Sequence, residues 1–164
     1  MIRSLSSKDF DVIFRIINDA AQAYKGIIPA DRWKEPYMPM DELKEELEAG
    51  VIFFGWQEEE KEEENKLVGV MGFQPVKDTT LIRHAYVLTK HQRRGIGRKL
   101  LVYLMSLAKT PEVLVGTWED ATWAIKFYEK YGFKLVTPHE KDRLLRKYWK
   151  IPERQVETSV VLKF

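Results

Sequence analysis

The spacing of hydrophobic positions changes along this chain, and each change marks an element. Ile2 to Leu5 reads as a short strand, Ser6-Ser7-Lys8-Asp9 offers a capping box, and Phe10, Ile13, Phe14, Ile17 and Ala21 recur at helical spacing. A second helix is predicted from about Met40 to Ala49, with Gly50 ending it. Two apolar runs, Val51 to Trp56 and Leu67 to Phe73, flank the acidic stretch Glu58 to Asn65, which predicts a hairpin with a solvated tip. Leu81 to Val87, rich in β-branched and aromatic residues, is a strand; Leu100, Leu101, Leu104, Met105 and Ala108 then restore the helical period. Val113 to Thr117 is a buried strand. Ala124, Phe127, Tyr128 and Tyr131 share the face of a helix that Gly132 is suited to end. Glu140 to Trp149 predicts a further helix and Val156 to Leu162 a closing strand. The order predicts one mixed α/β (α+β) domain over residues 1–164, a sheet with helices on both faces.

Composition narrows the partners. The formal net charge of +2 is too small to argue for nucleic acid, and basic residues are interleaved with acidic ones. No apolar run is long enough to span a bilayer, and Met1-Ile2-Arg3-Ser4 does not begin a secretory leader, so no membrane association and a cytoplasmic location are expected. The chain has no cysteine, so a cysteine acyl-enzyme cannot form.

The densest chemical signal is Gln92-Arg93-Arg94-Gly95-Ile96-Gly97, where a strand pattern gives way to a helix pattern. The first amides of a helix have no internal partner, and glycines let a ligand approach them, so the stretch suits a phosphate or pyrophosphate. Arg93, Arg94, Arg98 and Lys99 point the same way, because cations at the positive end of a helix dipole call for an anion. The P-loop spacing is absent, and a dinucleotide fingerprint would need glycine where Leu100 stands.

The Gln-x-x-Gly-x-Gly loop after a strand resembles the acyl-CoA pyrophosphate loop of the GNAT superfamily of N-acetyltransferases, and Ala124 to Phe133 resembles that superfamily's later motif. The resemblance implies a mixed, mostly antiparallel sheet of about seven strands that splays between its fourth and fifth strands, with the pantetheine arm of acetyl-CoA lying in the wedge. It further implies that Val87, Leu88 and Thr89 lie along that arm, amides of Val87 and Thr89 bonding its carbonyls. Gln92, Arg93, Arg94, Gly95, Ile96, Gly97, Arg98 and Lys99 would hold the pyrophosphate. Ala121 stands where many members carry asparagine, so a polar contact to the cofactor is either missing or supplied by Thr122.

The implied reaction moves an acetyl group from acetyl-CoA directly to the primary amine of a small molecule or peptide, with no metal. Tyr128 matches the family's acid, and Tyr128 is also expected at the cofactor. For the base the residues leave three sources open: His84, Glu119 or a water molecule. Tyr24, Trp33 and Tyr37, in the long prolyl and aromatic connection between the first two helices, are candidates for binding the amine acceptor, together with Trp118 and Glu119. Trp123, Tyr148 and Trp149 extend that aromatic set. Two other classes stay in view: a catalytically silent acyl-CoA-binding regulatory module, and a basic interaction module using Arg93, Arg94, Arg98, Lys141, Arg143, Arg146 and Lys147. The closing strand, read as a free sheet edge, suggests a homodimer.

Overall fold

A computed structural model describes residues 1–59 and 66–164 of the chain; residues 60–65, most of the predicted acidic tip, lie outside the described residues. Its strands are β1 (Ile2–Ser4), β2 (Ile52–Glu58), β3 (Lys66–Val76), β4 (Thr79–Val87), β5 (Glu112–Trp118), β6 (Lys134–Leu135) and β7 (Ser159–Lys163). They form one sheet in the order β1-β2-β3-β4-β5-β7-β6. Every neighbouring pair is antiparallel except β4 with β5. A parallel pair needs a crossover rather than a tight turn. Here the crossover carries α3 (Ile96–Leu107).

The other helices are α1 (Phe10–Ala20), α2 (Met40–Glu48), α4 (Thr122–Lys130), α5 (Pro138–Tyr148) and α6 (Glu153–Glu157). The predicted capping box is present: Ser6 Oγ accepts from Lys8 N–H, and Asp9 Oδ2 accepts from Ser6 N–H at 2.9 Å. Side chains alternate between the two faces of a strand. Val68, Met71, Phe73, Ile82 and Val115 accordingly bury against α3 and α4. Val70 and Phe53 face α1 and α2 on the opposite side, packing on Ile13, Ile17 and Leu43. On that same side Leu81, Leu114 and Val161 pack against Leu144 and Leu145 of α5. Each such fully buried Leu or Ile contributes about 1.5–3 kcal/mol relative to exposure.

The feature that positions the site is the brevity of the parallel pair. β4 and β5 are in register only over Thr79–Ile82 and Glu112–Val115. Beyond that, β4 continues beside β3 as far as Val87, and β5 beside β7 as far as Trp118. The two strands therefore splay, and the facing edges of both are left without a sheet partner.

The C-terminal reading needs correction. Val156 and Glu157 are helical, and the strand begins at Ser159. Pro152 caps the short helix and Glu153 sits in its first turn, where an acid is favourable; burial of Val156 completes it. β7 lies between β5 and β6, so it is not a sheet edge and gives no reason for a homodimer.

Candidate active site

The splay opens into two cavities. The larger, about 530 Å3, is bounded by Ala20 of α1, Met71, Val87, the loop residues His91, Gln92, Arg93, Gly95 and Gly97, and Trp123, Phe127 and Tyr131. The smaller, about 120 Å3, lies between the splayed strands toward α5 and α6, with Arg83, His84, Thr117, Trp118, Trp149 and Gln155 in its wall. Tyr24, Ala85, Tyr86, Ala124 and Tyr128 border both. The cavities thus meet at one partition.

The glycine loop is built from backbone. Arg93 has φ of 65° and Gly95 of 79°, the left-handed region in which a side chain is strained. Gly95 precedes Ile96, and the first helical bond in that turn runs from Lys99 N–H to Gly95 O at 3.0 Å. The amides of Ile96, Gly97 and Arg98 are therefore orphan donors at the larger cavity. A Cβ on Gly97 would sit 3.5 Å from the Phe127 ring, so the helix start and α4 approach closely here. Arg93, Arg98 and Lys130 contribute positive charge, and no acidic residue lines this cavity among the described residues. The arrangement fits a pyrophosphate.

Not every predicted contact gathers there. Gln92 Nε2 donates to Val87 O at 3.0 Å and pins the loop to the strand end. Thr89 gives both its amide and its hydroxyl to Asp19 Oδ2, at 2.8 and 3.1 Å, so that amide is already satisfied. Leu88 donates its N–H to Val68 O and packs its side chain in the core. Lys99 Nζ lies 4.6 Å over the Trp56 ring, and Arg94 Nη1 lies 3.9 Å from Glu58 Oε1; neither lines the cavity. His91, Phe127 and Lys130 line it unforeseen, since a helix-spaced Phe or an isolated cation carries no distinguishing signal.

Tyr128 stands at the partition, buried, with its ring edge-on to Phe127 and Phe133 at 5.1 and 5.6 Å. Burial raises its phenol well above the ordinary value, so the hydroxyl stays protonated throughout the neutral range. Ala121 is buried in an apolar cluster, and Thr122 is exposed and lines neither cavity. Neither position offers a polar side chain to either cavity.

The aromatic candidates converge. Trp118 Nε1 donates to Tyr37 Oη at 2.8 Å, Tyr24 tilts against Tyr37 at 5.2 Å, and Trp33 stacks behind Tyr37 at 6.0 Å. Trp123 stacks on the other side of Tyr24 at 5.9 Å. Burial pushes the Tyr24 phenol up to about 12, with the Tyr86 hydroxyl opposing. Tyr148 points elsewhere, donating to Asp78 Oδ1 at 2.7 Å. Glu119 is exposed past the end of β5 and lines neither cavity.

His84 does line the smaller cavity. The β3–β4 register slips between Val70 and Gly72, and His84 adopts φ of 53° there. Such a bulge re-aims side chains. It puts Arg83 and His84 on one face, where both meet Glu46 of α2: Arg83 Nη1 and His84 Nε2 lie 3.0 and 3.3 Å from Glu46 Oε2. Burial pushes the His84 imidazole below its usual value while Glu46 pulls it back up.

Comparison with known proteins decides the family. The sequence profile of the acetyltransferase (GNAT) domain matches residues 53–135, about half of the chain. The chain belongs to the GNAT family. Human N-acetyltransferase 8 is 33% identical over 82 residues, a match covering 44% of this chain and 36% of that protein. The peptidyl-lysine N-acetyltransferase YiaC of Escherichia coli is 23% identical over 136 residues, covering 83% of this chain and 84% of its own. The fold is shared with the PaiA N-acetyltransferase of Thermoplasma acidophilum, solved in complex with coenzyme A: TM-score 0.71 at 17% identity, covering 99% of this chain and 96% of that one. Among the described residues no cluster of three or more His, Asp or Glu could hold a metal, and no helix is long and apolar enough to cross a membrane.

Proposed function

We propose that this protein transfers the acetyl group of acetyl-CoA directly to a primary amine of a small molecule or peptide, both substrates being bound together. The observation that carries the reading is the partition at Tyr128: a basic cavity with a helix start on one side, an aromatic cavity on the other. Arg93, Arg98, Lys130 and the amides of Ile96 to Arg98 would hold the pyrophosphate, and the unpaired edge of β4 at Val87 would take the pantetheine arm as an added strand. When bound, acetyl-CoA supplies an acyl carbon activated as a thioester. Tyr128, kept protonated by burial, donates to the departing sulfur; His84, kept neutral, accepts the proton that the ammonium must lose before its nitrogen can attack. Tyr24, Tyr37 and Trp118 form the aromatic wall for the acceptor, a surface favourable to a cation.

The alternative basic interaction module is weakened by pairing: Lys141 meets Asp142, Arg143 meets Glu140 and Arg146 meets Glu153. A thiol-release assay with acetyl-CoA and a panel of amines, run beside calorimetry of acetyl-CoA, tests the reading. Lysine peptides enter the panel first, because YiaC is named for that acceptor. One acetyl-CoA per chain with amine-dependent thiol release is expected. Tight binding with no release for any amine would leave the silent regulatory module.

A further inference from the structure

We propose that Glu46 is the positioning residue for His84, accepting the Nε2 proton so that Nδ1 is the unprotonated nitrogen turned to the acceptor cavity. The inference rests on reading His84 as the base and adds the group that makes it one. Glu46 comes from α2, far from any motif, and sits near that helix's C-terminus, where a carboxylate is unfavourable against the dipole. It is nonetheless mostly buried, and its cost is offset by a dedicated network. Gln74 donates to Ala49 O at 3.1 Å and accepts from Arg83 Nη1 at 3.1 Å; Arg83 in turn reaches both Glu46 oxygens, at 3.0 and 3.4 Å. Arg83 has only donors to offer, so Glu46 is held as an anion.

His84 is brought to this anion by a left-handed residue in a strand, a conformation that costs on the order of 1–3 kcal/mol outside glycine and that a packing histidine would not require. The ring stacks on Phe53 at 5.9 Å, which fixes its plane. Its Nε2 is buried and 3.3 Å from Glu46 Oε2, outside hydrogen-bond geometry in the free protein and a short closure from it. Catalytic hydrogen bonds commonly tighten only when substrate is bound. The arrangement selects one tautomer and stabilises the imidazolium formed when Nδ1 takes the proton that the ammonium gives up, directly or through water, before its nitrogen forms the C–N bond and the C–S bond breaks. The charged groups facing His84 are Glu46 and Glu42 from α2, which favour its protonation, and Arg83 from β4, which opposes it.

Nitrogen-15 NMR of the three histidines, with His84 assigned through His84→Gln, tests this without any substrate. Wild type is expected to carry the proton on Nε2 at neutral pH. In Glu46→Gln, Arg83 takes the amide oxygen and leaves the amide NH2 toward His84, so the tautomer should invert and the titration midpoint should fall by about one pH unit. Turnover of acetyl-CoA with an acetyl-capped lysine peptide should drop roughly ten- to a hundredfold in the same variant, its acidic limb moving to lower pH, with acetyl-CoA affinity unchanged. Glu46→Asp, keeping the charge, should restore part of the rate, and thermal melting of both variants excludes misfolding. An unchanged tautomer and midpoint in folded Glu46→Gln would overturn the proposal. Wild-type turnover by His84→Gln would instead remove His84 from the chemistry and reduce Glu46 to a structural partner, leaving the Tyr128 and acetyl-CoA readings untouched.

Discussion

The two cavities that meet at Tyr128 are made in opposite ways. The polar end of the larger is a backbone object: a left-handed glycine, three orphan amides at the start of α3 and one unpaired strand edge, with Arg93, Arg98 and Lys130 in its wall. The smaller is a side-chain object, assembled from Tyr24, Tyr37, β4, β5, α4 and the segment around α6. Backbone sites recognise a constant chemical group at low sequence cost. Side-chain sites are where a family changes its partner. The larger cavity therefore suits the donor that all family members share, and the smaller suits an acceptor particular to this chain.

Substitutions can break or sharpen that contrast. The largest effect is expected at the partition itself. Tyr128→Phe keeps the ring packing but removes the hydroxyl, so turnover should fall on the order of a hundredfold while acetyl-CoA affinity and melting stay as in wild type. The sign of the pH effect follows from the raised phenol: the acid works while protonated and is lost as pH rises through its pKa, so the variant should lose the alkaline limb and keep the acidic one. Wild-type turnover with chemistry rate-limiting would make Tyr128 a packing residue.

Next in size is Gly97→Ala. Its methyl would make only ordinary contact with Phe127, so the free fold should tolerate it, while a ligand lying against the helix start should not. Calorimetry is expected to show acetyl-CoA weakened about tenfold at unchanged melting temperature, a loss of about 1.4 kcal/mol. Full affinity would take the helix start out of the donor site.

Tyr37→Phe acts on the other side. Losing the hydrogen bond from Trp118 should cost about 1 kcal/mol of stability in a denaturant titration and raise the acceptor KM, with acetyl-CoA affinity unmoved. A change in donor affinity instead would mean that the two cavities are not separate in function. Smallest is Arg98→Ala, an exposed cation: acetyl-CoA should weaken about threefold at low salt, and the difference should vanish near 1 M salt, where screening is nearly complete.

The same contrast explains what the sequence disclosed. A donor loop made by contiguous residues leaves a local trace, so Gln92 to Gly97 and the Tyr128 helix were legible, as was the strand before them. Convergence of Tyr24, Trp33, Tyr37 and Trp118 was legible only as a set of aromatic residues near a cleft. Glu46 and Arg83 were not legible, because on α2 and β4 they look like solvent-facing charges, and the bulge that turns Arg83 and His84 to one face breaks the alternation by which a strand is read. The bond from the Thr89 amide to Asp19, 70 positions away, is a tertiary fact and leaves no trace in the sequence. The closing strand was misplaced because β-branched Val156 reads as strand, whereas Pro152 and Glu153 open a helix.

The short parallel pairing of β4 with β5 has a consequence for traffic through the molecule. Because the sheet parts after four residue pairs, the two cavities flank one gap and share only the residues that border both. On the proposed reading acetyl-CoA and the amine occupy the two cavities separately, so neither reactant is expected to wait for the other to pass. In steady-state kinetics this favours either order of arrival. Coenzyme A added as a product should compete with acetyl-CoA yet leave the acceptor's cavity open, so that raising the amine concentration would not relieve its inhibition.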